Sequence, residues 1–224
     1  MLSQPCRAVM LFILANKIPC EDRRVNLAVG EHLTAEFSKL NPFHKVPVID
    51  DNGFIVKESV AILRYLSYEK NVPDHWYPKD RKQQAKIDEY LEWQHLDTRL
   101  NCSMYFIVKF LRPLITGQTP SKKIISEYED KMKRTLDMIE TIWLKSTPYL
   151  IGDNITIADL FGVCELEQPR MAGYDPCTDR PQVTAWMNRI REEMNPHYDK
   201  LHERVNKIAT KAPGSIVPDN FPKV

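Results

Sequence analysis

The clearest structural signal in the sequence is a β-hairpin in the segment KVPVIDDNGFIVKES, residues 45–59. Two runs of β-forming residues, 46–49 and 54–56, flank the turn DDNG, a composition that favours a tight reversal. Strands joined by so short a turn pair antiparallel with each other. From residue 81 onward the sequence contains no convincing strand pattern. The chain therefore has to combine a small β-containing region with a long helical one.

The region before residue 71 carries signals for three helices and three strands in the order α-β-α-β-β-α. Pro5 opens a helix over 5–16, and a second helix over 31–42 has apolar residues at helical spacing. Between them the segment RRVNL, 23–27, alternates apolar and polar residues and predicts a short strand. The hairpin follows, and Ser59 is a candidate N-cap for the third helix.

The segment from 71 to 80 contains two prolines and no periodicity, so we interpret it as a linker between domains. The sequence predicts an α/β domain over 1–70, an all-helical domain over 81–211 and a loosely ordered tail over 212–224. Within ITIADL, Thr156 and Asp159 have the spacing of a capping box. The predicted helices of the second domain span 81–112 and 121–145, and three more begin near Thr156, Pro181 and Pro196.

Composition excludes several classes of function. The chain has 224 residues and a net charge of +1, which argues against a dedicated nucleic-acid-binding protein. The apolar run at 8–15 is too short to span a bilayer, so we expect no membrane partner. Five cysteines form no CxxC and no zinc pattern, which suits free thiols in a reducing, cytoplasmic location. No metal-ligand cluster or glycine-rich phosphate loop is visible.

Several motifs stand together in one order along the chain. They are SQPCRAV (3–9), NPFHKVPVIDD (41–51), ESVAILRYL (58–66), VPDHWYP (72–78), DEYLEWQH (88–95) and ITIADL (155–160). With them the chain resembles the cytosolic glutathione transferases, and the theta class most of all. The resemblance implies an α/β, thioredoxin-like N-terminal domain followed by an all-α C-terminal helical bundle. It also implies glutathione as a cosubstrate without a further cofactor, a small hydrophobic electrophile, and a homodimer.

In the family, a first strand precedes the turn that carries SQPCRAV. Here only Met1 and Leu2 stand before that segment. The resemblance therefore predicts a truncated thioredoxin-like domain that lacks this strand and has three strands instead of four. We favour truncation of the sequence over a new architecture, because an absent interior strand leaves backbone groups of its neighbours without partners.

Ser3 is the candidate catalytic residue. The resemblance implies that its hydroxyl donates a hydrogen bond to the glutathione sulfur, which favours the thiolate. A free thiol has a pKa of ~8.5, so lowering it by ~2 units requires a preference for the thiolate of about 2.7 kcal/mol. A structural alternative is that Ser3 only caps the first helix. Cys6 is a rival nucleophile at the same helix end, although we expect its side chain to face the interior.

The remaining candidates would bind glutathione. The resemblance implies that the backbone of Val46, before Pro47 in KVP, pairs with the tripeptide as an added strand would. Glu58 and Ser59 stand where the family binds the γ-glutamyl end, at a helix N-terminus that offers free amides. The alternatives are an ordinary turn proline at Pro47 and a simple N-cap at Ser59.

His32 and Lys45 resemble residues that meet the glycyl carboxylate, and Arg99 is a further candidate for glutathione binding. Arg99 follows Asp88 by about three helical turns, so the two would share a face with His95. This polar stripe either borders the cleft between domains or is a solvated face.

Two classes of function remain open. The first is an enzyme that transfers glutathione to small electrophiles or reduces organic hydroperoxides, and Ser3, KVP and ES favour it. The second is a catalytically impaired transferase-like binding or scaffold protein, which the lack of a first strand favours. The two differ in whether glutathione binding is accompanied by turnover.

Overall fold

The computed structural model describes residues 1–210, and its first part is a small α/β unit. Its three helices are α1 (Gln4–Ala15), α2 (Ala35–Leu40) and α3 (Ser59–Glu69). Its two strands are β1 (Val48–Asp51) and β2 (Phe54–Lys57). Short 3-10 turns cover Leu27–Val29 and Glu31–Leu33. The fold class expected from the sequence is confirmed, since the described residues after this unit form helices and no strand.

The predicted hairpin forms with a two-residue turn. β1 and β2 pair antiparallel, with Val48 opposite Lys57 and Asp51 opposite Phe54. Asn52 and Gly53 make the turn with φ angles of 55° and 91°, which the type I′ hairpin turn requires. The Asp50 carboxylate accepts a hydrogen bond from the Gly53 amide at 2.7 Å, which fixes the reversal.

The predicted strand over 23–27 is wrong, because the sheet of the described residues has two strands, not three. Residues 18–26 belong to no helix or strand, and Arg23 and Arg24 are exposed. A strand exists only through its ladder partner, and both strands of this sheet pair solely with each other. Alternation of apolar and polar residues was therefore insufficient to predict a strand in this segment. The predicted tail over 212–224 lies outside the described residues.

Seven helices make up the described part of the second region. They are α4 (Arg81–Leu96), α5 (Thr98–Phe106), α6 (Arg112–Thr116), α7 (Lys122–Met138), α8 (Ile157–Leu166), α9 (Pro181–Met194) and α10 (His197–Ala209). A π-helical segment, Ile107–Leu111, joins α5 to α6, and a second one, Ile139–Trp143, extends α7. The domain limits at residues 70 and 81 stay predictions.

The long helix predicted over 81–112 is divided in two. Asp97 lies between α4 and α5 with φ −111° and ψ −87°, a conformation that ends the first helix and redirects the second. Residues before and after this break therefore do not share one continuous helix face.

Helix α8 lies at the centre of the molecule, and all ten of its residues are buried. The predicted capping box forms at its start. The Thr156 amide donates to the Asp159 carboxylate at 2.8 Å, and the Ala158 amide donates to the Thr156 hydroxyl at 3.2 Å. Asp159 also accepts from the Trp186 indole at 2.9 Å, so α8 and α9 are joined through one buried carboxylate.

One apolar core runs through both regions. The buried face of α1 includes Leu11 and Phe12 and packs against α3 on one side and α8 and α10 on the other. Residues of α1, α3, α4, α8 and α9 belong to the same cluster of buried side chains. The start of α1, where Ser3 lies, is therefore positioned by the helical region as well as by its own α/β unit.

Candidate functional site

Ser3 stands at the N-terminus of α1 with an extended backbone, φ −69° and ψ 121°. Its carbonyl accepts the hydrogen bond from the Arg7 amide at 3.1 Å, which begins the helix. Its side chain, in contrast, caps no amide of α1. The hydroxyl of Ser3 is therefore not committed to the structural role that a serine at this position usually has.

Cys6 lies one turn further along α1 and is an unfavourable nucleophile. Burial raises the pKa of its thiol, and the neighbouring Ser3 hydroxyl and the charges of Arg7 and Arg99 only partly offset that rise. A reactive cysteine needs a lowered pKa. Burial therefore makes the Cys6 thiol a poor nucleophile, while the residue as a whole is of intermediate exposure. The Ser3 hydroxyl and the positive charge of Arg99 thus both favour an anionic sulfur at this end of α1.

The open end of the hairpin brings two more candidates together. Val48 pairs with Lys57, so Val46 and Pro47 precede β1 at the same end of the hairpin at which Glu58 follows β2. The Val46–Pro47 peptide bond is cis. Within residues 1–210, the amide and carbonyl of Val46 form no hydrogen bond. An extended peptide could therefore pair with this backbone unit.

Glu58 and Ser59 lie at the N-terminus of α3. The prediction that Ser59 is the N-cap is wrong by one residue, because Glu58 takes that position and Ser59 is the first helical residue. The Glu58 side chain is exposed and caps no amide, and its backbone has φ 63°, which is rare for any residue with a Cβ. Ser59 is buried. The Glu58 side chain therefore accepts no hydrogen bond from the first amides of α3.

His32 and Lys45 lie in one corner of the α/β unit. The His44 ring donates from Nδ1 to the His32 carbonyl at 2.9 Å, and the Asn41 amide donates to the Lys45 carbonyl at 2.7 Å. These bonds join the 3-10 turn of His32 to the loop that ends in KVP. Lys45 is exposed, and His32 Nδ1 is buried without a hydrogen-bond partner in the described part of the chain.

Arg99 is not part of the stripe predicted with Asp88 and His95. The break at Asp97 separates the helices, and the Asp88 carboxylate binds Arg64 at 2.5 Å instead. Arg99 donates from Nη1 to the buried carboxylate of Glu165 on α8 at 3.1 Å. Its side chain is 38% exposed. The prediction that Arg99 shares a helix face with Asp88 and His95 is wrong, because it assumed one uninterrupted helix.

Two features of the site were not found from the sequence. Arg7 is fully buried, and its guanidinium donates to the carbonyls of Leu2 and Cys164, both at 2.8 Å. A charged residue directly before the apolar run at 8–15 was the available signal for it. The second feature is an apolar cluster that adjoins Leu2, one residue before Ser3. Its members are Leu2, Phe106, Ile107, Phe110, Leu111, Met171, Val205 and Ile208.

Within residues 1–210, no group of three or more histidine, cysteine or acidic side chains is arranged to hold a metal ion. In that same part of the chain, every helix is too short or too polar to cross a membrane.

The geometry defines a class of protein. A small α/β unit presents the N-termini of α1 and α3 and an unpaired backbone unit before a cis-proline, and a helical region packs against α1. This is the architecture of a thioredoxin-like domain joined to a helical bundle.

Comparison with known proteins gives the family. The family model "Glutathione S-transferase, N-terminal domain" matches residues 3–68, and "Glutathione S-transferase, C-terminal domain" matches residues 102–193. Glutathione S-transferase theta-1 of Bos taurus is 38% identical over 219 residues, which cover 98% of this chain and 90% of that protein. The chain belongs to the glutathione S-transferase family, and this bovine relative is of the theta class.

Solved structures agree with this assignment. Human glutathione transferase theta-2, in complex with glutathione and an unknown ligand, aligns with a TM-score of 0.91 and 35% identity, covering 99% of this chain and 90% of that chain. A human theta-class transferase in complex with the glutathione conjugate of 1-menaphthyl sulfate aligns with a TM-score of 0.85 and 36% identity, covering 93% and 84%.

Proposed function

We propose that this protein conjugates reduced glutathione to small apolar electrophiles and that Ser3 stabilises the glutathione thiolate. The observation that carries the proposal is the Ser3 side chain, which lies at the N-terminus of α1 and caps none of its amides. Its hydroxyl would donate to the thiolate sulfur, assisted by the helix end and by the positive charge of Arg99. Homology to transferases supports the reaction class.

In the proposed reaction the thiol proton leaves to solvent and the thiolate sulfur attacks the electrophilic carbon. A sulfur–carbon bond forms, and the leaving group departs with the electron pair of its bond to carbon. With an organic hydroperoxide the thiolate would attack oxygen and break the O–O bond, giving an alcohol and glutathione sulfenic acid. A second glutathione then converts the sulfenic acid to the disulfide and water. Neither route needs a metal or a further cofactor.

The ends of glutathione would be held by the α/β unit. We assign the peptide backbone to Val46, the γ-glutamyl end to Glu58 and Ser59, and the glycyl carboxylate to His32 and Lys45. The unpaired backbone of Val46 within residues 1–210 and the exposed Lys45 side chain support these assignments.

The electrophile would contact the apolar cluster beside Leu2. Phe106 and Phe110 stack with ring centroids 5.5 Å apart, and both lie within or next to the π-helical segment after α5. π-helical turns occur frequently at functional sites. An apolar wall next to the reacting sulfur favours small hydrophobic electrophiles over charged ones.

We further propose a cytoplasmic homodimer. The five cysteines are all unpaired, which suits a reducing compartment. Leu96 and Leu100, at the junction of α4 and α5, are 74% and 44% exposed, and Phe43 in the α/β unit is 64% exposed. Such side chains would be covered if the first helices of the bundle pack on the α/β unit of a second copy.

The test compares Ser3→Ala with Cys6→Ala. We expect Ser3→Ala to raise the pKa of bound glutathione and to reduce turnover, with little loss of affinity because other residues hold the tripeptide. The loss should shrink as the pH approaches ~8.5, where solvent ionises a thiol without help. Cys6→Ala should change turnover little. Turnover against pH with a small alkyl halide and with cumene hydroperoxide measures both effects.

Two outcomes would contradict the proposal. If Cys6→Ala abolishes activity while Ser3→Ala keeps it, the chemistry is that of a thiol enzyme. If the protein is retained on immobilised glutathione and shows no turnover with any electrophile, it is a binding or scaffold protein.

A further inference from the structure

Glu165 is one of two buried carboxylates in α8, and the other, Asp159, belongs to the capping box. Glu165 lies one residue before the end of α8, and its side chain is 1% exposed. Oε1 accepts the hydrogen bond from Arg99 Nη1 at 3.1 Å, whereas Oε2 has no partner within residues 1–210. Burying a carboxylate with only one hydrogen-bonded oxygen costs free energy. Its presence here points to a role in the interaction with its partner, Arg99.

The Arg99 side chain depends on this carboxylate for its anchoring. In the described chain, the bond to Glu165 is the single hydrogen bond or ion pair that the Arg99 side chain makes. Arg99 is partly exposed, and its charge acts on Cys6 at the start of α1. Without an anchor, a long arginine side chain at such a position would sample several rotamers, since ordering it has an entropic cost.

A second cation, Arg7, favours the charged form of the Glu165 carboxylate. Arg7 is fully buried and donates to neutral acceptors, among them the carbonyl of Cys164, the residue before Glu165. No carboxylate lies within 4.0 Å of Arg7 in residues 1–210. Burial raises the pKa of Glu165 to about 7, and the charges of Arg99 and Arg7 act against that rise. The carboxylate is thus electrostatically linked to α5 and to α1.

We propose that Glu165 is a positioning residue for the transferase site. Its buried carboxylate holds the Arg99 guanidinium at the start of α1, where the charge of Arg99 supports the glutathione thiolate and the bound tripeptide. The inference rests on the proposed function for its catalytic consequence. It rests on the ion pair itself for its structural one.

A double-mutant cycle tests this role. Glu165→Gln keeps the volume and removes the charge, and Arg99→Met removes the guanidinium. We expect Glu165→Gln to lower kcat/KM for glutathione about tenfold in the wild-type background and by less than about twofold in the Arg99→Met background. An equal loss in both backgrounds, or no loss in the wild type, would overturn the proposal.

Glu167→Gln is the matched control. Glu167 is also buried, two residues further on, but it binds Arg170 and the Tyr198 hydroxyl instead of Arg99. We expect this variant to lose stability without changing the KM for glutathione and without coupling to Arg99→Met. Glu165→Asp, which keeps the charge on a shorter side chain, should retain more activity than Glu165→Gln. Glu165→Asp also replaces Glu165→Gln in the double-mutant cycle if the Gln variant does not fold.

A ligand-free measurement separates this inference from the proposed function. ¹⁵N relaxation of the Arg99 Nε–H group should report an ordered side chain in the wild type and a mobile one in Glu165→Gln, with Arg99→Met giving the assignment. If the wild-type protein neither binds nor turns over glutathione but Arg99 loses order in Glu165→Gln, the function fails and the positioning role stands. Equal order in both proteins would refute the positioning role.

Discussion

Glu58 has the backbone conformation in this site that is hardest to explain by packing alone. Its φ of 63° places a non-glycine residue in a region that costs about 1–3 kcal/mol. The residue is exposed, and its side chain caps nothing in α3. No capping hydrogen bond from the Glu58 side chain offsets this backbone strain. We attribute the strained conformation to the ligand that Glu58 would meet.

Two substitutions at Glu58 separate strain from binding. Glu58→Gly should match or exceed the wild-type free energy of unfolding, and exceed that of Glu58→Ala by about 1 kcal/mol, since glycine has no Cβ to clash. Both variants should bind glutathione roughly tenfold to a hundredfold more weakly, because each loses a hydrogen bond to a charged group. Urea unfolding and calorimetric titration measure the two effects. Unchanged glutathione affinity in both variants would place the γ-glutamyl site elsewhere.

His202 makes stability depend on pH. It is fully buried on α10, donates from Nδ1 to the Tyr198 carbonyl at 2.9 Å, and has a pKa lowered to about 4 by burial and by the charge of Arg7. An unfolded histidine titrates near 6.5. The native state therefore binds fewer protons between these values, and its stability falls as the pH drops from about 6.5 to 4.

His202→Phe removes this titration and keeps the ring stacked on Tyr198, where the centroids are 4.2 Å apart. Relative to the variant, the wild type should lose about 3 kcal/mol of unfolding free energy between pH 7 and pH 4. The difference between the two curves cancels the titration of groups such as Glu165, whose raised pKa acts in the opposite direction. Parallel curves for the two proteins would show that His202 does not titrate in this way.

At the scale of elements, α8 joins the fold to the site. Its N-terminus is held by the Thr156–Asp159 capping box, its middle packs against α1, and its last turn carries Glu165. Gly162 lies where side chains of neighbouring segments pack closely against the backbone of α8. A Cβ there would stand 2.8 Å from the Tyr90 hydroxyl oxygen, 2.9 Å from Leu150 Cδ1 and 3.0 Å from Trp186 Cη2.

Gly162→Ala should destabilise the protein even though alanine is the better helix former. Alanine gains about 1 kcal/mol in helix propensity, but overpacking among three buried side chains costs about 1–3 kcal/mol and more when none can move. We expect a net loss of about 1–2 kcal/mol in urea unfolding. Glu192→Ala, on the exposed face of α9, is the control and should stay within about 0.5 kcal/mol. A stabilised Gly162→Ala would mean that the contacts around α8 are loose.

At the scale of the whole molecule, the α/β unit depends on the helical region. Its described sheet has two strands, and an isolated hairpin is marginally stable in water. Much of its apolar surface is on α1, which is buried against α8 and α10 as well as α3. The two regions therefore share a core and should unfold together.

A fragment comprising residues 1–70 tests this dependence. We expect its circular dichroism and its amide proton dispersion to be those of a largely unfolded chain, because the partner surface of α1 is removed. The intact protein should show one cooperative unfolding transition by fluorescence and by circular dichroism. A folded fragment, or two separate transitions in the intact chain, would show that the α/β unit is independently stable.

Residues close together in the chain were enough to predict several of the local elements. The DDNG turn and its flanking runs specified the hairpin, Pro5 the start of α1, and Thr156 with Asp159 the cap of α8, because each depends on residues close together in the chain. The motifs also specified the family. The same local logic failed at 23–27, since a strand needs a partner, and at Asp97, where the helix changes direction.

Contacts between residues far apart in the chain followed from tertiary packing. Arg99 and Glu165 are 66 positions apart, and Arg7 and Cys164 are 157 apart, so no local pattern could pair them. Burial decided the rest: inside the packed core it raises the pKa values of Cys6 and Glu165 and lowers that of His202. These shifts arise from the removal of water around charged groups, which is a property of the packed fold and not of any segment.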